Sequence, residues 1–527
     1  MNATGSRPAT GAGPVVRGAA SAITVAFVGV LVLWPLAAIL RRGFAPAGSI
    51  ELAAIGEVWG SARSRSVLWF TVVQAGWSTL ATLLVGLPAA WAVSRPFRGR
   101  AFVLGITAAA FATPTVVMGL AWRSLLDRGL LAVVCAHVAF NVAVVVHVVG
   151  TAWSGMDPRP AEAARTLGAS KTRAWYDITL PRLRGSIAAA TLLTFLFSFT
   201  SYGVIVVVGS NRQSTIESEI ARLSRNLQFD RAGVLALVQL VVVIIVATTA
   251  RRAERTVVSE TAASAGRVRS LRRTLSALPA ALVAVVPFAV LVRRVMFVDG
   301  RPSARALAAL HDVDLRVGAT PIRALGQSVV VAAVAVCVTM VVGLAAIAAT
   351  AGPSWIARVV DVAVIVPLGV SAVTLGYGYL ITFDEAPLRL RDHWWIVPLA
   401  HAAVAVPFVV RYIRPGLRSV DASVVEAAAT LGADARCRLT SVVLPLLRPA
   451  IVGAAAFAAA ISLGEFGATS MLARRGEPTA TSLIGQLLGR PGDAPRLAAD
   501  ALALALALVI VLVLAAGNRL TRTQVAR

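Results

Sequence analysis

The sequence predicts an all-α polytopic membrane protein with about 12 transmembrane helices, arranged as two parallel six-helix repeats. Three observations support this fold class. The composition is strongly apolar: of the 527 residues, 57% are hydrophobic and 14% are charged, and the mean hydropathy is +0.78. Apolar runs long enough to cross a bilayer recur along the whole chain. A short polar motif occurs twice, and its two copies are 264 positions apart (426 − 162), which is about half of the chain.

The apolar runs are expected to be helices, because backbone groups in lipid must be hydrogen-bonded within their own segment. At about 1.5 Å per residue, about 20 residues cross the hydrocarbon. The spans predicted in the first half are 20–40, 67–94, 101–122, 130–152, 185–209 and 232–250. Those in the second half are 274–293, 324–350, 358–382, 393–413, 446–472 and 497–516. Six spans per half give both halves the same orientation, as in parallel repeats.

Between the halves lies a stretch rich in Arg, Ser, Thr and Ala. It divides the chain into a first six-span half (1–250), a cytoplasmic linker (251–273) and a second six-span half (274–527). The first apolar run reaches Leu40, which is too long for a signal-peptide core and predicts an uncleaved span. By parity, both termini, the linker and both motif copies share one side. Lys and Arg are more numerous on that side, which favours the cytoplasm.

The formal net charge of +25 does not indicate a nucleic-acid partner. The arginines are scattered in short loops between apolar runs and form no patch with interleaved aromatic residues. They are typical of residues that flank membrane helices, so the lipid bilayer is the expected partner. The three cysteines, Cys135, Cys337 and Cys437, have neither paired spacing nor a neighbouring histidine. No metal site is therefore predicted.

The repeated motif is a polar island between spans. Its first copy is Glu162-Ala163-Ala164-Arg165-Thr166-Leu167-Gly168, followed after nine residues by Ile178-Thr179-Leu180-Pro181. Its second copy is Glu426-Ala427-Ala428-Ala429-Thr430-Leu431-Gly432, followed after nine residues by Val442-Val443-Leu444-Pro445. Each copy predicts a short helix, a glycine break, a second short helix and then a span. Each first helix carries a small apolar face, which could rest on lipid or dock on a partner. Two copies with the same internal spacing favour docking.

The second copy has clear helix-boundary signals. Ser423 and Glu426 fit a capping box, in which the serine accepts from a backbone N–H and the glutamate reaches back. Gly432 suits the left-handed position after a helix end. Asp434 is expected to cap the next short helix, and Pro445 suits the first turn of the span. The first copy lacks the capping box and matches the remaining positions.

These loops resemble the EAA loops of bacterial ABC importer permeases, the membrane subunits that an ATPase drives. The stretch from Leu463 to Thr469 resembles permeases for ferric iron, thiamine, sulfate and molybdate. The fused twelve-span form resembles the ferric-iron and thiamine branch of the binding-protein-dependent transport family. The resemblance implies a type I importer permease fold in a bacterial plasma (inner) membrane. It also implies two ATPase subunits, an external solute-binding protein and a small solute, ferric iron or thiamine foremost. The ATPase-coupling contacts carried over are Glu162, Ala163, Ala164, Leu167, Gly168, Glu426, Ala427, Ala428, Leu431 and Gly432.

The chain itself is not expected to hydrolyse ATP. Its single lysine, Lys171, follows Gly168-Ala169-Ser170, so serine stands where a phosphate-binding loop needs its second glycine. Paired carboxylates, a nucleophile elbow and metal-ligand spacings are also missing from the sequence. We therefore predict no catalytic site and no cofactor on this chain, with ATP bound by partner subunits.

A second set of candidates lies within the spans and could line a solute pathway. Prolines kink membrane helices, which is often only structural. A carboxylate at bilayer depth costs about 3 kcal/mol, so Glu465 is functional, faces water, or lies near the outer surface. His137 and His401 are expected to make helix–helix hydrogen bonds. The pathway candidates are Pro114, Ser201, Tyr202, Gly203, Pro367, Glu465, Phe466 and Gly467.

Three other interpretations remain open from the sequence. A gradient-driven transporter with two six-span halves would share the span count, but would usually carry a charged signature between its second and third spans. Here residues 95–100 lack the Asp of that signature. A sulfate- or molybdate-type ABC permease would share the motif. A structural or assembly protein of the membrane would need neither motif loop.

Overall fold

A computed structural model describes residues 14–44, 53–210, 213–255, 270–312, 318–350, 354–384, 388–474 and 476–525. Within these ranges the regular structure is helical, apart from one antiparallel hairpin of two-residue strands, β1 (Phe297–Val298) and β2 (Arg301–Pro302). The predicted all-α class is confirmed. The predicted linker, 251–273, lies mostly outside the described residues.

The α-helices fall into two series along the chain. Those of the first half are α1 (Pro14–Val28), α2 (Trp34–Phe44), α3 (Ala53–Gly60), α4 (Ala62–Val93), α5 (Arg100–Ala112), α6 (Thr115–Leu126), α7 (Leu130–Ser154), α8 (Arg159–Thr166), α9 (Lys171–Ala174), α10 (Leu180–Phe199), α11 (Gly203–Val208), α12 (Ile216–Arg225) and α13 (Phe229–Arg255). Those of the second half are α14 (Leu271–Met296), α15 (Arg305–Ala308), α16 (Pro321–Ala349), α17 (Trp355–Ile365), α18 (Ala372–Thr382), α19 (Ile396–Arg418), α20 (Ala422–Thr430), α21 (Ala435–Arg438), α22 (Leu444–Gly464), α23 (Gly467–Leu472), α24 (Ala480–Leu488) and α25 (Asp493–Val525). Three π turns (Gly29–Leu33, Trp175–Thr179 and Leu439–Val443) and two 3₁₀ turns (Val366–Gly369 and Leu390–Asp392) complete the described helical structure.

Nine helices of the described residues are long and apolar enough to cross a membrane, and a tenth span results if α5 and α6 count as one. The chain is therefore a multi-pass membrane protein. Four of the twelve predicted spans are not single helices, among them 446–472, which is interrupted between α22 and α23. Predicted span 101–122 is bent by 103° between α5 and α6, and 185–209 is interrupted between α10 and α11. Predicted span 358–382 is divided into α17 and α18 by a 3₁₀ turn that contains Pro367.

The span after each motif copy begins earlier than predicted. In the second half, α21, a π turn and α22 form one continuous apolar helix, Ala435–Gly464, instead of the predicted 446–472. The N–H of Leu444 bonds to the carbonyl of Leu439, which is the wider π spacing. Proline at 445 has no N–H to continue the α-helical ladder, so the π turn carries the helix past it. The first half repeats this arrangement before Pro181.

The described chain forms two compact units that do not follow the order of the sequence. The N-proximal unit is Leu52–Ala309 with Ile484–Leu504, and the C-proximal unit is Met1–Glu51 with Leu310–Leu483 and Ala505–Arg527. Helix α14, from the second half, thus packs on α4 and α5 of the N-proximal unit, and α1 packs on α16 and α17 of the C-proximal unit. The boundaries at 250 and 273 divide the sequence into two halves and a linker. The compact units do not test this division, so it stays a prediction.

Each unit contains the same close helix contact. In the N-proximal unit, a Cβ atom on Gly86 of α4 would lie 2.7 Å from the Cβ of Val145 on α7. In the C-proximal unit, a Cβ on Gly343 of α16 would lie 2.9 Å from a methyl group of Val409 on α19. Small residues let membrane helices approach closely, and dispersion contacts then hold them together. The duplication is therefore visible in packing as well as in sequence.

Helix α12 is held in the N-proximal unit by a buried carboxylate. Glu219 accepts bidentate hydrogen bonds from Arg63, at 2.9 Å each, and from Arg222, at 2.6 and 2.9 Å. Burial raises the pKa of Glu219, but the two guanidinium groups outweigh it and hold this pKa below its usual range. The ion-pair network fixes α12 to the start of α4.

Candidate functional site: two motif loops and two interrupted helices

The two motif copies fold into loops of the same design. The first motif loop, residues 157–181, contains α8 and α9, and the second motif loop, residues 421–445, contains α20 and α21. In both, a short helix ends at a glycine and a second short helix leads through a π turn into a span. The predicted order of elements is confirmed in both copies.

The first helix of each loop ends in the same way. Gly168 has φ +93° and Gly432 has φ +87°, a left-handed conformation that favours glycine. In the first loop the N–H of Ala169 donates to the carbonyl of Ala164 at 2.9 Å, and the equivalent bond of the second loop measures 3.0 Å. These are Schellman motifs, which satisfy carbonyl groups at a helix end. The prediction that both glycines end a helix in the left-handed conformation is confirmed.

The beginning of the second loop differs from its prediction. Helix α20 starts at Ala422, so Ser423 lies inside the first turn and forms no capping box. The cap is Asp421, whose carboxylate accepts from the N–H of Ser423 at 2.9 Å, and this hydrogen bond holds the pKa of Asp421 below its usual range. In the first loop Asp157 accepts from the N–H of Arg159 at 3.0 Å. The two aspartates are 264 positions apart, a signal that was present in the sequence.

The second short helix of each loop is capped as predicted. In the first loop Ser170 accepts from the N–H of Arg173 at 3.1 Å. In the second loop Asp434 accepts from the N–H of Cys437 at 2.7 Å. A side-chain acceptor at this position satisfies one of the unpaired N–H groups at a helix start. The turn between the short helices is thus fixed at both of its ends.

Each loop presents one leucine almost completely to solvent. Leu167 is 88% exposed and Leu431 is 89% exposed, both at the residue that follows the first helix. Burying a leucine is worth about 1.5–3 kcal/mol, so exposing two of them at matched positions forgoes stability. Around them the motif residues Glu162, Ala163, Glu426 and Ala427 are exposed, and Ala164 and Ala428 are half-buried. The loops therefore offer a small apolar face beside a carboxylate.

The spans that follow the loops are interrupted at matched positions. Residues 200–202 separate α10 from α11, and residues 465–466 separate α22 from α23. Tyr202 and Phe466, the last residues of these interruptions, are both buried. Six pathway candidates therefore lie at helix breaks rather than within continuous helices. They are Ser201, Tyr202, Gly203, Glu465, Phe466 and Gly467.

The glycines after the interruptions are required by close packing. A Cβ on Gly203 would lie 3.1 Å from the backbone nitrogen of Val116 and would collide with the Thr115 side chain. A Cβ on Gly467 would lie 3.2 Å from the backbone nitrogen of Val373. Both glycines thus abut the first turn of a neighbouring helix, α6 or α18. Their main role in this geometry is to allow that approach.

Buried histidines join the helices around the interruptions. The ring nitrogens of His137 lie 2.9 Å from the hydroxyl of Ser78 and 2.8 Å from the hydroxyl of Ser201. His401 has both ring nitrogens at hydroxyl groups in the same way, at 2.8 and 2.7 Å. The predicted helix–helix hydrogen bonds are confirmed. Within the described ranges, no group of three or more His, Cys, Asp or Glu residues could hold a metal ion.

Ser201 and Glu465 occupy the same place in the two halves but are used differently. Ser201 is fully buried and bonds across to His137. Glu465 is half-buried, and its carboxylate accepts from the N–H of Ala468 at 2.8 Å at the start of α23. Its carbonyl accepts from the hydroxyl of Thr481 at 2.7 Å. The carboxylate is therefore held by its own chain.

The two proline candidates do not occupy equivalent positions. Pro114 lies at the bend of 103° and immediately precedes α6. Pro367 lies inside the 3₁₀ turn before α18, and the residue that immediately precedes α18 is Ser371. Each proline marks a helix break, as expected from its missing N–H. Their pairing in the sequence does not correspond to a pairing in the fold.

Comparisons with known proteins match both halves of the chain to membrane components of transport systems. A family described as "Binding-protein-dependent transport system inner membrane component" matches residues 82–252 and 341–527. The chain is 25% identical over 473 residues to "Probable ABC transporter permease protein y4fN" of Sinorhizobium fredii, covering 80% of this chain and 81% of that protein. It is 27% identical over 539 residues to "Thiamine transport system permease protein ThiP" of Brucella abortus, covering 94% and 95%. It is 36% identical over 124 residues to "Putative 2-aminoethylphosphonate transport system permease protein PhnV" of Salmonella paratyphi A, covering 24% and 47%.

Proposed function

The chain belongs to the family of binding-protein-dependent transport system inner membrane components, and from this we propose how it works as the fused, two-half permease of an ABC importer. In this proposal two separate ATPase subunits dock on the two motif loops, and an external solute-binding protein delivers the solute. ATP binds to the partner subunits, and this chain carries no cofactor. Both termini and both motif loops lie on the cytoplasmic side of a bacterial inner membrane.

The observation that supports docking is the exposure of Leu167 and Leu431 on loops of identical design. A surface that forgoes leucine burial twice, at the same point of the same motif, is best explained by a partner that covers it. Small neighbouring residues and the exposed carboxylates of Glu162 and Glu426 complete the face. We therefore propose the ten predicted motif residues as the contacts that receive movement from the ATPase.

For the solute, we propose thiamine as the first candidate and ferric iron as the second. The thiamine permease relative matches 94% of this chain. Both candidate solutes are cationic, and the half-buried carboxylate of Glu465 at a helix break would suit a cation in a pathway. Phe466 and Gly467 in the same half, and Ser201, Tyr202 and Gly203 in the other half, stay pathway candidates, with Pro114 and Pro367 at other helix breaks.

The experiment that tests this function is co-purification of an ATPase subunit with this chain from membranes. We expect Leu167→Glu and Leu431→Glu each to weaken recovery of the ATPase, and the double variant to abolish it. The charged side chain would have to be buried without a partner at the docking surface, which costs several kcal/mol. Leu227→Glu is the matched control, because Leu227 is 74% exposed in a turn outside both motif loops.

Two results would contradict the proposal. Undiminished recovery of the ATPase with the double variant would show that the loops are not the docking surface. Uptake that follows a proton gradient in vesicles without any ATPase would instead indicate a gradient-driven transporter. The solute is tested separately, by uptake of labelled thiamine and of ferric iron into cells with and without the gene, so a wrong solute leaves the docking result intact.

A further inference from the structure

The two motif loops rest on different supports. Beneath the second motif loop, Val425, Val443 and Leu447 are buried in one hydrophobic cluster. Leu417 and Val420 pack against the same cluster. This close aliphatic packing fixes α20 to the start of its span. It accounts for the burial of these side chains without any ligand.

Beneath the first motif loop there is an open cleft of about 370 Å³. Ala161 and Thr179 line it at the positions, 264 residues earlier, of Val425 and Val443. These smaller or more polar side chains leave unfilled the space that the valines close in the second loop. Tryptophan and basic side chains line much of the rest of the cleft, among them Trp91, Trp153, Trp175, Arg165, Lys171 and Arg182.

The cleft is basic, and its basic residues have no counterparts in the second loop. Where the first loop and the residue after it have Arg165, Lys171 and Arg182, the second loop and the residue after it have Ala429, Ala435 and Leu446. Arg95 adds a fourth cationic side chain to the lining, against the two carboxylates of Asp157 and Glu162. Asp157 accepts a backbone hydrogen bond at the start of α8. The cleft thus has an excess of positive charge, which favours an anionic ligand.

The tryptophans of the cleft indicate which anion fits. Trp153 and Trp175 stack on each other at 5.0 Å between ring centroids. The guanidinium groups of Arg273 and Arg272 lie 5.0 and 5.3 Å from the ring centroid of Trp91. Because these ring faces already contact another ring or a guanidinium group, they are less available for stacking with a nucleobase. Tryptophan and arginine at the ends of apolar helices, here α4 and α7, are typical of the headgroup level of a bilayer.

We propose that this cleft binds the phosphoryl group of an anionic phospholipid, such as phosphatidylglycerol, beneath the first motif loop. Basic pockets between membrane helices on the cytoplasmic side suit anionic headgroups. The bound headgroup fills the space under α8 that the valines fill under α20, and it neutralises Arg165 and Lys171. Its consequence for transport rests on the proposed function: coupling through the first loop depends on anionic lipid, whereas the second loop is supported by protein alone.

The test measures lipid binding by the purified full-length chain without any ATPase, by native mass spectrometry with phosphatidylglycerol. Two changes make the first loop resemble the second: Arg165→Ala with Lys171→Ala, and Ala161→Val. We expect Arg165→Ala with Lys171→Ala to weaken phosphatidylglycerol binding roughly tenfold or more, because each basic group near an anionic lipid contributes to binding. Ala161→Val should also weaken binding, because its larger side chain takes up space in the cleft. Arg436→Ala with Arg438→Ala removes the same charge from the second loop and is expected to leave binding unchanged.

Equal binding by the wild type and the Arg165→Ala/Lys171→Ala variant overturns the proposal, and this variant leaves the apolar packing of the chain untouched. Millimolar inorganic phosphate distinguishes the lipid from a soluble phosphate. Retention of the lipid in its presence supports a headgroup site, and displacement assigns the cleft to soluble phosphate and overturns the lipid source. Because no ATPase is present, failure of this test leaves the docking proposal standing, and failure of docking leaves lipid binding standing.

Discussion

The two motif loops are nearly identical in geometry, whereas the two helix interruptions that follow them are not. Both loops end their first helix with a left-handed glycine, at φ +93° and +87°, and expose a leucine at 88% and 89%. The interruptions differ at corresponding positions. Ser201 is buried and bonds to a histidine, whereas Glu465, its counterpart in the sequence, is half-buried and accepts from a backbone N–H of its own segment. The same duplicated segment has thus kept one region alike and let another diverge.

This contrast follows from what each region would contact. In the proposed function, two ATPase subunits with the same groove would dock on the two loops, so both loops would have to offer the same shape. The residues around a solute pathway face one asymmetric ligand, so the two halves need not match there. The predictions below test whether the loops are equivalent and whether the interruptions are different, from the largest expected effect to the smallest.

Charge reversal in the loops should have the largest effect. Glu162→Lys and Glu426→Lys should each reduce transport to background while leaving insertion in the membrane intact. Both glutamates are exposed, so each change reverses the charge of the docking face. Glu162 also lies in the first turn of α8, where a negative group is favoured by roughly 0.3–1 kcal/mol. The decisive loss comes from the docking face. Solute uptake by cells, with the membrane level of the protein measured by immunoblot, checks the prediction.

A control for charge reversal is Glu477→Lys, which changes an exposed glutamate outside the loops and should leave uptake unchanged. If one loop tolerated reversal and the other did not, the loops would not be equivalent in function despite their common geometry. Normal uptake by both loop variants would remove the coupling role.

Steric changes at the interruptions should have the next largest effect. Gly467→Ala should destabilise the protein by about 1–3 kcal/mol, because its new methyl group would be 3.1 Å from the Cβ of Ala372. Gly203→Ala should cost at least as much, since its methyl group would meet Thr115 and a backbone nitrogen. Thermal unfolding in detergent measures both. Gly105→Ala is the control, because nothing lies within 4 Å of a Cβ there.

Changes at the left-handed glycines should be smaller and equal in the two loops. Gly168→Ala and Gly432→Ala each place a Cβ in a left-handed conformation, which costs about 1–2 kcal/mol. Nothing lies within 4 Å of either new methyl group, so backbone strain is the whole effect. Protease susceptibility of each loop in purified protein measures the local destabilisation. A clear inequality between the loops would show that the first loop, above its open cleft, is held differently from the second.

Much of the loop geometry could be predicted because it is encoded locally and twice. A glycine after an amphipathic turn, followed two residues later by serine or aspartate, specifies a helix end and a new helix start. The prediction of a capping box was wrong because two residues are candidates for the N-cap position of α20. Asp421 and Ser423 can both cap a helix, and the sequence does not reveal that α20 begins one residue after the aspartate. The recurrence of aspartate at 157 would have favoured it.

Features that depend on packing between distant segments could not be predicted. Hydropathy gives apolar segments but does not show that four of them are interrupted, since an apolar turn buried in protein looks like part of a span. It also does not show that α1 and α14 pack outside their own halves of the chain. The proline pairing failed for a related reason. Pro367 lies in a turn four residues before Ser371, the structural counterpart of Pro114.

The smallest effect is expected where the two halves differ most. Glu465→Gln should slow transport a few-fold without weakening ATPase binding. The amide oxygen can still accept the hydrogen bond from the N–H of Ala468, so the helix start is preserved and only the charge is lost. A few-fold change corresponds to about 1 kcal/mol or less in the rate-limiting barrier. Initial uptake rates at saturating solute, with ATPase recovery from the same membranes, measure the two quantities together.

Ser201→Ala is the matched change in the other half. It removes the hydroxyl that faces the Nε2 atom of His137 and leaves a buried ring nitrogen without that partner, so it should lower stability rather than transport rate. If Glu465→Gln lowered stability and left the uptake rate unchanged, the two positions would play the same structural role. The interruptions would then be as equivalent as the loops, and the pathway would have to be sought at other residues.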